Sequence, residues 1–438
     1  MNYYKILLKK IKDKNIKVGV IGLGYVGLPL VISLGNKKIF VYGFDIDKKK
    51  INQLKSNKSY LNTIKNNQIK KIKKYFLPTN KFDLIKNCDV ILICVPTPLK
   101  KKFIPDLKYL QNTLDQIKKF LKPGQFISLE STSYPGTTSE EVVSKLCKKF
   151  LIGKNFFIGF SPEREDPGNK KFKSTDITKI ISGHTQNCLQ ISEKFYKTFF
   201  NNTYSVKNTQ TAEFTKLLEN IYRSVNIGLV NEMKIIANLM KIDINEVIEA
   251  ASTKPFGFKA FQPGPGMGGH CIPIDPFYMS WKSKKLGYEP KFIKNSGLIN
   301  SLIPRWIVKQ IFKELKKVKK IHKNKKILII GVSYKKNIDD TRESPSFEIM
   351  NLLIKKKIKV DYHDPHVPML EKTRKFNFNM KSKRLNKNML KKYSAIIIVT
   401  DHDKINYSTL ANNAKIIFDC RGKLRKKFKN LGSKYVLL

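Results

Sequence analysis

Apolar positions along the chain alternate between short β-branched runs and stretches of helical period. A run at residues 16–23 passes through Gly22 into a segment where Leu28, Leu30, Val31 and Leu34 recur at helical spacing, and a second run at 39–44 ends at Asp45. This reads as strand, helix, strand. Further strand-like runs at 89–95 and 126–129 end in turn-forming stretches, Pro96-Thr97-Pro98 and Glu130 to Gly136. From 211 to 240 the period turns helical, with Phe214, Leu217, Leu218, Ile221, Val225, Leu229, Met233 and Ile236 spaced by three and four. That spacing predicts one long helix burying this stripe between domains. A shorter helix is expected at 245–251, and then a second strand, helix, strand set at 327–331, 346–355 and 358–362. The fold class predicted is α/β, two doubly wound domains joined by a long central helix.

The first of these units carries Gly22-Leu23-Gly24-Tyr25-Val26-Gly27 between its strand and its helix. Gly22 allows the tight turn, Gly24 lets a pyrophosphate approach the backbone, and Gly27 lets helix pack on strand, with the helix N-terminus facing the phosphates. Asp45 follows 18 residues after Gly27, at a strand end. There it stands to accept ribose hydroxyls and repel a 2′-phosphate, so the expected cofactor is NAD rather than NADP. The unit is Rossmann-like. The second unit lacks the glycine triplet and has Gly331-Val332-Ser333-Tyr334-Lys335-Lys336 and a later Arg342. Such a loop suits a single nucleotide whose phosphates need cationic partners.

Composition narrows the class. The chain has 438 residues and a net charge of +51, from 85 Lys and Arg against 34 Asp and Glu. The excess is mostly Lys scattered through nearly every segment, which reads as a solvated surface rather than a nucleic-acid site. The competing reading from another class is a basic polyanion-binding protein on the same fold, which predicts tight, salt-sensitive binding. Six cysteines at 88, 94, 147, 188, 271 and 420 form no CxxC pair and no cluster with His at zinc spacing. No metal and a reduced, cytoplasmic setting are expected. The longest apolar runs fall far short of the ~20 residues that cross a bilayer. The tail after Lys423 is basic and reads as a surface element.

Gly264-Pro-Gly-Met-Gly268-Gly269-His270-Cys271-Ile-Pro-Ile-Asp275 is the strongest chemical signal. Glycines admit a ligand close to backbone amides, and a thiol held there acts as a nucleophile once a base or a positive field lowers its pKa. Upstream, Lys216 and Asn220 stand four apart and share a helix face, so an ammonium and an amide can point at one ligand.

Taken in order, GLGYVG, VPTP, ESTSYPGTT, SPEREDPGN, FTKLLEN, GPGMGGHCIPID and GVSYKKNIDDTRESP resemble the UDP-glucose/GDP-mannose dehydrogenase family over essentially the whole chain. The resemblance implies an N-terminal NAD-binding Rossmann domain at 1–207, a central helical, dimerisation and cysteine-loop segment at 208–313, and a C-terminal UDP-sugar-binding Rossmann-like domain at 314–438. A homodimer or higher homo-oligomer is implied, with no nucleic-acid or membrane partner. The stretch from Ser161 to Asn169 differs from the Asn-Pro-Glu-Phe-Leu-Arg-Glu form of UDP-glucose enzymes and resembles the branch that oxidises UDP-N-acetylglucosamine for surface polysaccharide such as capsule or O-antigen. UDP-glucose, UDP-N-acetylgalactosamine and UDP-N-acetylmannosamine remain alternatives.

The same resemblance implies roles for particular residues. Lys216 and Asp275 would assist oxidation of the sugar C6 alcohol to an aldehyde. Cys271 would add to that aldehyde, and loss of a second hydride would give a thioester. Glu163 or Glu165 would aid its hydrolysis, with Lys216 and Asn220 stabilising oxyanions and Thr132 contacting water and nicotinamide. An aldehyde has no hydroxyl-bearing carbon ready to release hydride until a nucleophile adds, and a thiol meets that need. Cofactor contacts would come from Gly22, Gly24, Tyr25, Val26, Gly27, Asp45, Thr97, Thr132 and Arg342. Substrate contacts would come from Lys216, Asn220, Gly268, Gly269, Tyr334 and Lys335.

Overall fold

The computed structural model describes residues 1–61, 63–100, 103–164, 176–269, 272–317, 326–373, 375–425 and 431–438. These divide into two compact units, Met1–Glu219 with Phe277–Glu289, and Asn220–Pro276 with Pro290–Leu438. Among the described residues no helix is long and apolar enough to cross a membrane, and no group of three His, Cys, Asp or Glu is placed to hold a metal ion.

The first unit is built on eight strands: β1 (Lys17–Ile21), β2 (Phe40–Phe44), β3 (Phe76–Thr79), β4 (Val90–Ile93), β5 (Phe126–Leu129), β6 (Phe157–Phe160), β7 (Lys179–Gly183) and β8 (Thr203–Ser205). They lie in the order β3-β2-β1-β4-β5-β6-β7-β8. All neighbours pair parallel except β6 and β7. A parallel sheet is covered on both faces, so its strands are continuously apolar; β4 is Val-Ile-Leu-Ile, every residue buried. One cluster of buried side chains, with Val18, Val20 and Leu28, covers one face, and another, with Ile21, Ile91 and Leu114, covers the other. The predicted strands correspond to β1, β2 and β4, shortened at their ends, and to β5, which keeps the predicted bounds. The remaining four were not predicted, because runs this short, broken by Pro78 or Gly159, carry little periodicity. The order reverses at β1, so the carboxyl ends of β1 and β4 flank the crevice where doubly wound sheets bind ligands.

The second unit holds β9 (Lys326–Ile330), β10 (Lys359–His363), a small antiparallel pair β11 (Met369–Leu370) and β12 (Met380–Lys381), then β13 (Ala395–Ile398), β14 (Ile417–Asp419) and β15 (Tyr435–Leu437). Five of them form a parallel sheet in the order β10-β9-β13-β14-β15. This is the second common doubly wound order, with its switch point between β9 and β13. The predicted helix is Pro345–Lys355, capped by Ser344 with Pro345 at its first turn. The tail departs from expectation. Rather than ending as a surface element, the chain returns as β15 against β14 and buries Leu438, because an apolar Tyr-Val-Leu-Leu run follows the basic stretch.

The long helix is Thr209–Leu239, close to the predicted bounds, but its buried face is not the predicted one. Leu217 is buried, whereas Phe214, Leu218, Leu229, Met233 and Ile236 are exposed. The polar residues turned inward are Glu213, Lys216, Asn220, Ser224, Asn231 and Lys234. Several of them have buried partners. Glu213 accepts from the amides of Gly136 and Thr138 and from the Thr138 hydroxyl, Ser224 meets Ser296 at 3.3 Å, and Asn231 donates to Asn300 at 2.8 Å. Buried polar groups are tolerated when hydrogen-bonded, so the polar stripe faces inward and the apolar stripe is left to solvent in the single chain.

Candidate active site

In the first unit the glycine turn leaves no room for a side chain at two of its three glycines. Gly22 has φ +91°, and a Cβ there would come within 2.5 Å of the Cys94 carbonyl oxygen. A Cβ on Gly27 would lie 1.9 Å from the Gly22 carbonyl oxygen, while around Gly24 there is nothing within 4 Å. The first two close the turn and the third leaves an open approach to the backbone. Asp45, buried just past β2, accepts from the Leu23 amide at 3.0 Å and the Asp47 amide at 2.9 Å, with Lys50 at 3.4 Å. The acid is thereby tied to the glycine turn itself. Tyr25 and Val26 are half-buried at the start of the helix Gly27–Asn36. At the carboxyl ends of β4 and β5, the Thr97 hydroxyl donates to the Thr132 carbonyl at 2.6 Å, bringing two of the predicted residues together. An open glycine turn, a helix N-terminus and an acid at the next strand end fit a dinucleotide lacking a 2′-phosphate.

A second cluster in this unit surrounds Glu163. Its carboxylate meets Lys179 at 3.1 Å and accepts from the Arg164 amide at 2.9 Å. The Arg164 guanidinium instead grips Glu219, at 2.5 Å, and donates to the Thr178 carbonyl at 2.7 Å. Burial alone would raise the Glu163 pKa, but the charges of Lys179 and then Lys216, with the Arg164 amide, hold it below the usual carboxylate range. Lys216, expected on a shared face with Asn220, is buried. Glu165 lies outside the described residues.

In the second unit Asn220 donates its side-chain amide to the Asp275 carboxylate at 2.5 Å, both residues being buried. Asp275 opens the helix Asp275–Lys285. The glycine loop is pinned by the Gly264 amide donating to the Asn231 side-chain oxygen at 2.9 Å and the Gly269 amide donating to the Arg342 carbonyl at 3.0 Å. Any side chain at Gly268 or Gly269 would strike Tyr334: a Cβ would come within 2.6 Å of its Cβ and 2.9 Å of its ring. The fold thus gathers Gly268, Gly269, Tyr334 and Arg342, which are far apart in sequence. The Arg342 guanidinium is clasped by Asp340 at 2.6–3.0 Å, and Lys335 is half-buried on the same loop. Cys271 and its neighbour His270 lie outside the described residues.

Three comparisons bear on these groups of residues. Residues 16–200 match the NAD binding domain of the UDP-glucose/GDP-mannose dehydrogenase family, 210–301 its central domain and 328–426 its UDP binding domain. The chain belongs to this family. It is an NAD-dependent oxidoreductase acting on UDP-sugars, its α/β fold that of the family. It is 34% identical over 392 residues to a UDP-N-acetyl-D-glucosamine 6-dehydrogenase of Salmonella typhi, covering 89% of this chain and 90% of that one. It is 35% identical over 358 residues to a UDP-N-acetyl-D-mannosamine dehydrogenase of Methanocaldococcus jannaschii, covering 80% and 79%. The structure of a UDP-D-ManNAc dehydrogenase from Pyrococcus horikoshii superposes with a TM-score of 0.84 at 28% identity, covering 96% of this chain and 99% of that one.

Sequence reasoning overlooked several members of this dehydrogenase's polar framework. Glu130 and Lys179 flank Glu163, and Glu213 holds the turn at Gly136. At the switch point of the second sheet, buried His402 receives the Asn337 amide on Nδ1 at 2.9 Å, which leaves the proton on Nε2 facing Asp364 at 3.0 Å. A signal existed for Lys179: a lysine opening an otherwise apolar strand, Lys-Ile-Ile-Ser-Gly, needs a buried partner.

Proposed function

We propose that this enzyme carries out the four-electron oxidation of the C6 hydroxyl of UDP-N-acetylglucosamine to the uronic acid, for use in surface polysaccharide. The observation that carries the reading is the clamp of Asn220 on Asp275, because it ties the helix bearing Lys216 to the end of the loop bearing Cys271. Asp275 and Lys216 take up the alcohol proton, through water, as the first hydride leaves. The Cys271 thiolate then adds to the aldehyde carbon, and Lys216 and Asn220 stabilise the oxygen of the resulting thiohemiacetal. Loss of the second hydride leaves a thioester on Cys271, and Glu163 accepts a proton from the water that hydrolyses it. Two NAD molecules, bound in turn at the Gly22–Gly27 turn, would supply the hydride acceptors for the two oxidations. Gly268, Gly269, Tyr334 and Lys335 line the nucleotide sugar, and Thr97, Thr132 and Arg342 belong to the cofactor side.

The proposal keeps the three-part division at 1–207, 208–313 and 314–438. It also includes a homodimer formed through the exposed stripe of Leu218, Leu229, Met233 and Ile236, a surface too apolar for a freely solvated helix face. The choice of UDP-N-acetylglucosamine rests on the Ser161-Pro-Glu-Arg segment and on the Salmonella relative. UDP-N-acetylmannosamine is the second reading, motivated by the archaeal relatives. The test is NADH released per sugar consumed, with UDP-N-acetylglucosamine, UDP-N-acetylmannosamine, UDP-N-acetylgalactosamine and UDP-glucose supplied separately. Two NADH from the first, with little turnover of the others, is the expected result. Faster turnover of any other sugar overturns the substrate, and one NADH per sugar overturns the thioester route.

A further inference from the structure

Lys179 begins β7 with its side chain 2% exposed, and all three hydrogens of its ammonium have acceptors. Glu130 stands at 2.8 Å, Glu163 at 3.1 Å and the Pro162 carbonyl at 3.2 Å. The two carboxylates differ in place. Glu130 is wholly enclosed and is held from behind by the Tyr196 hydroxyl and by Ser128 at 3.2 Å, whereas Glu163 keeps 13% of its side chain open. An enclosed ammonium needs compensation by at least one carboxylate, and Glu130 already provides it. The bond to Glu163 is therefore additional to what burial requires. It engages one oxygen of the Glu163 carboxylate, Oε2, while Oε1 accepts the Arg164 amide.

We propose that Lys179 is a positioning residue for Glu163, an ammonium anchored on Glu130 that orients the Glu163 carboxylate for the water attacking the thioester. The inference rests on the proposed function and extends it to a residue that touches no reactant. In the step served, one O–H proton of water passes to Glu163 and the new C–O bond forms at the thioester carbon. The C–S bond then breaks, returning the thiolate of Cys271 and leaving the uronic acid carboxyl. Among the described residues, the charged and titratable groups facing Glu163 include Lys179 on β7, Glu130 after β5, Cys94 after β4 and Lys216 on the long helix. Of these Lys179 exerts the largest charge effect on Glu163, and it acts to keep the carboxylate ionised.

The test compares wild type, Lys179→Met, Lys179→Arg and the double variant Lys179→Met with Glu130→Gln, which leaves no unpaired buried acid. Stopped-flow NADH release gives the two oxidations, and intact mass gives the acyl-enzyme. Expected are unchanged rates for both oxidations, hydrolysis slowed about tenfold or more, and an accumulating acyl-enzyme. The acid limb of the hydrolysis rate should move to higher pH, since loss of a neighbouring cation raises the Glu163 pKa. Lys179→Arg should recover part of the hydrolysis rate. A folded double variant with wild-type hydrolysis rate and acid limb overturns the inference. A wild-type enzyme that never forms an acyl-enzyme overturns the proposed function instead.

Discussion

The side-chain amide of Asn220 and the carboxylate of Asp275 meet at 2.5 Å although 55 residues separate them. The amide faces one carboxylate oxygen, Oδ2, and so sets the orientation of the acid. Replacing Asp275 with Asn keeps the shape while removing the proton acceptor. Alcohol oxidation should then fall by about 10²–10⁴-fold, the usual contribution of a positioned general base. Pre-steady-state NADH release from the nucleotide sugar measures this. A rate within twofold of wild type would remove Asp275 from the first oxidation.

Cys271→Ser separates the two halves of the reaction. The alcohol step needs only a base, whereas the aldehyde needs a nucleophile to add before it can give up hydride. Product analysis by mass spectrometry should find aldehyde or its hydrate and one NADH per sugar. Full conversion to the acid would place the nucleophile elsewhere.

Asp45 should set the choice between NAD and NADP. Asp45→Asn retains an oxygen for the Leu23 amide but removes the charge that repels a 2′-phosphate, and Lys50 at 3.4 Å then stands to attract that phosphate. The ratio of kcat/KM for NAD over NADP should drop about tenfold or more.

Glu213 makes stability depend on pH. Burial pushes its carboxyl up from the ordinary 4.5 to about 7, against the hydrogen bonds from Thr138 and Gly136 that favour the anion. Between those two values the native chain binds a proton that the unfolded chain has released. Its contribution to stability is therefore full below about pH 4.5 and is lost as pH rises through about 7. The loss is on the order of 3 kcal/mol at most. Tm measured across that window should fall less steeply for Glu213→Gln than for wild type; equal slopes would mean Glu213 titrates normally.

Lys234 is a buried ammonium with weak compensation, its nearest acceptor being the Gly264 carbonyl at 3.4 Å, with the Trp306 ring centroid 5.6 Å away. Burial, reinforced by Arg421, lowers its pKa from 10.5 to about 8. Lys234→Met should raise stability at neutral pH by on the order of 1–3 kcal/mol. A depressed lysine pKa penalises the folded state while the ammonium is charged. The gain should therefore be full below about pH 8 and vanish as pH approaches 10.5. Chemical denaturation at two pH values checks it.

Residues close in sequence were legible from the chain, because local geometry follows from local chemistry. The Gly22–Gly27 turn, the acid Asp45 and the parallel strands around them needed only β-branched runs, the spacing of three glycines and a helix period. Lys216 and Asn220 were placed on one helix face for the same reason. What spacing could not express were meetings between distant segments. The long helix shows the difference most clearly: its apolar stripe predicted the wrong inward face, because Glu213, Asn220 and Asn231 have buried partners supplied by remote loops. Glu130, Lys179 and Glu163 likewise lie on three separate segments, and the packing of β5, β6 and β7 brings their charges together. Periodicity records which residues are apolar. It does not record which polar groups will find a partner, and desolvation makes that pairing decide where they end up.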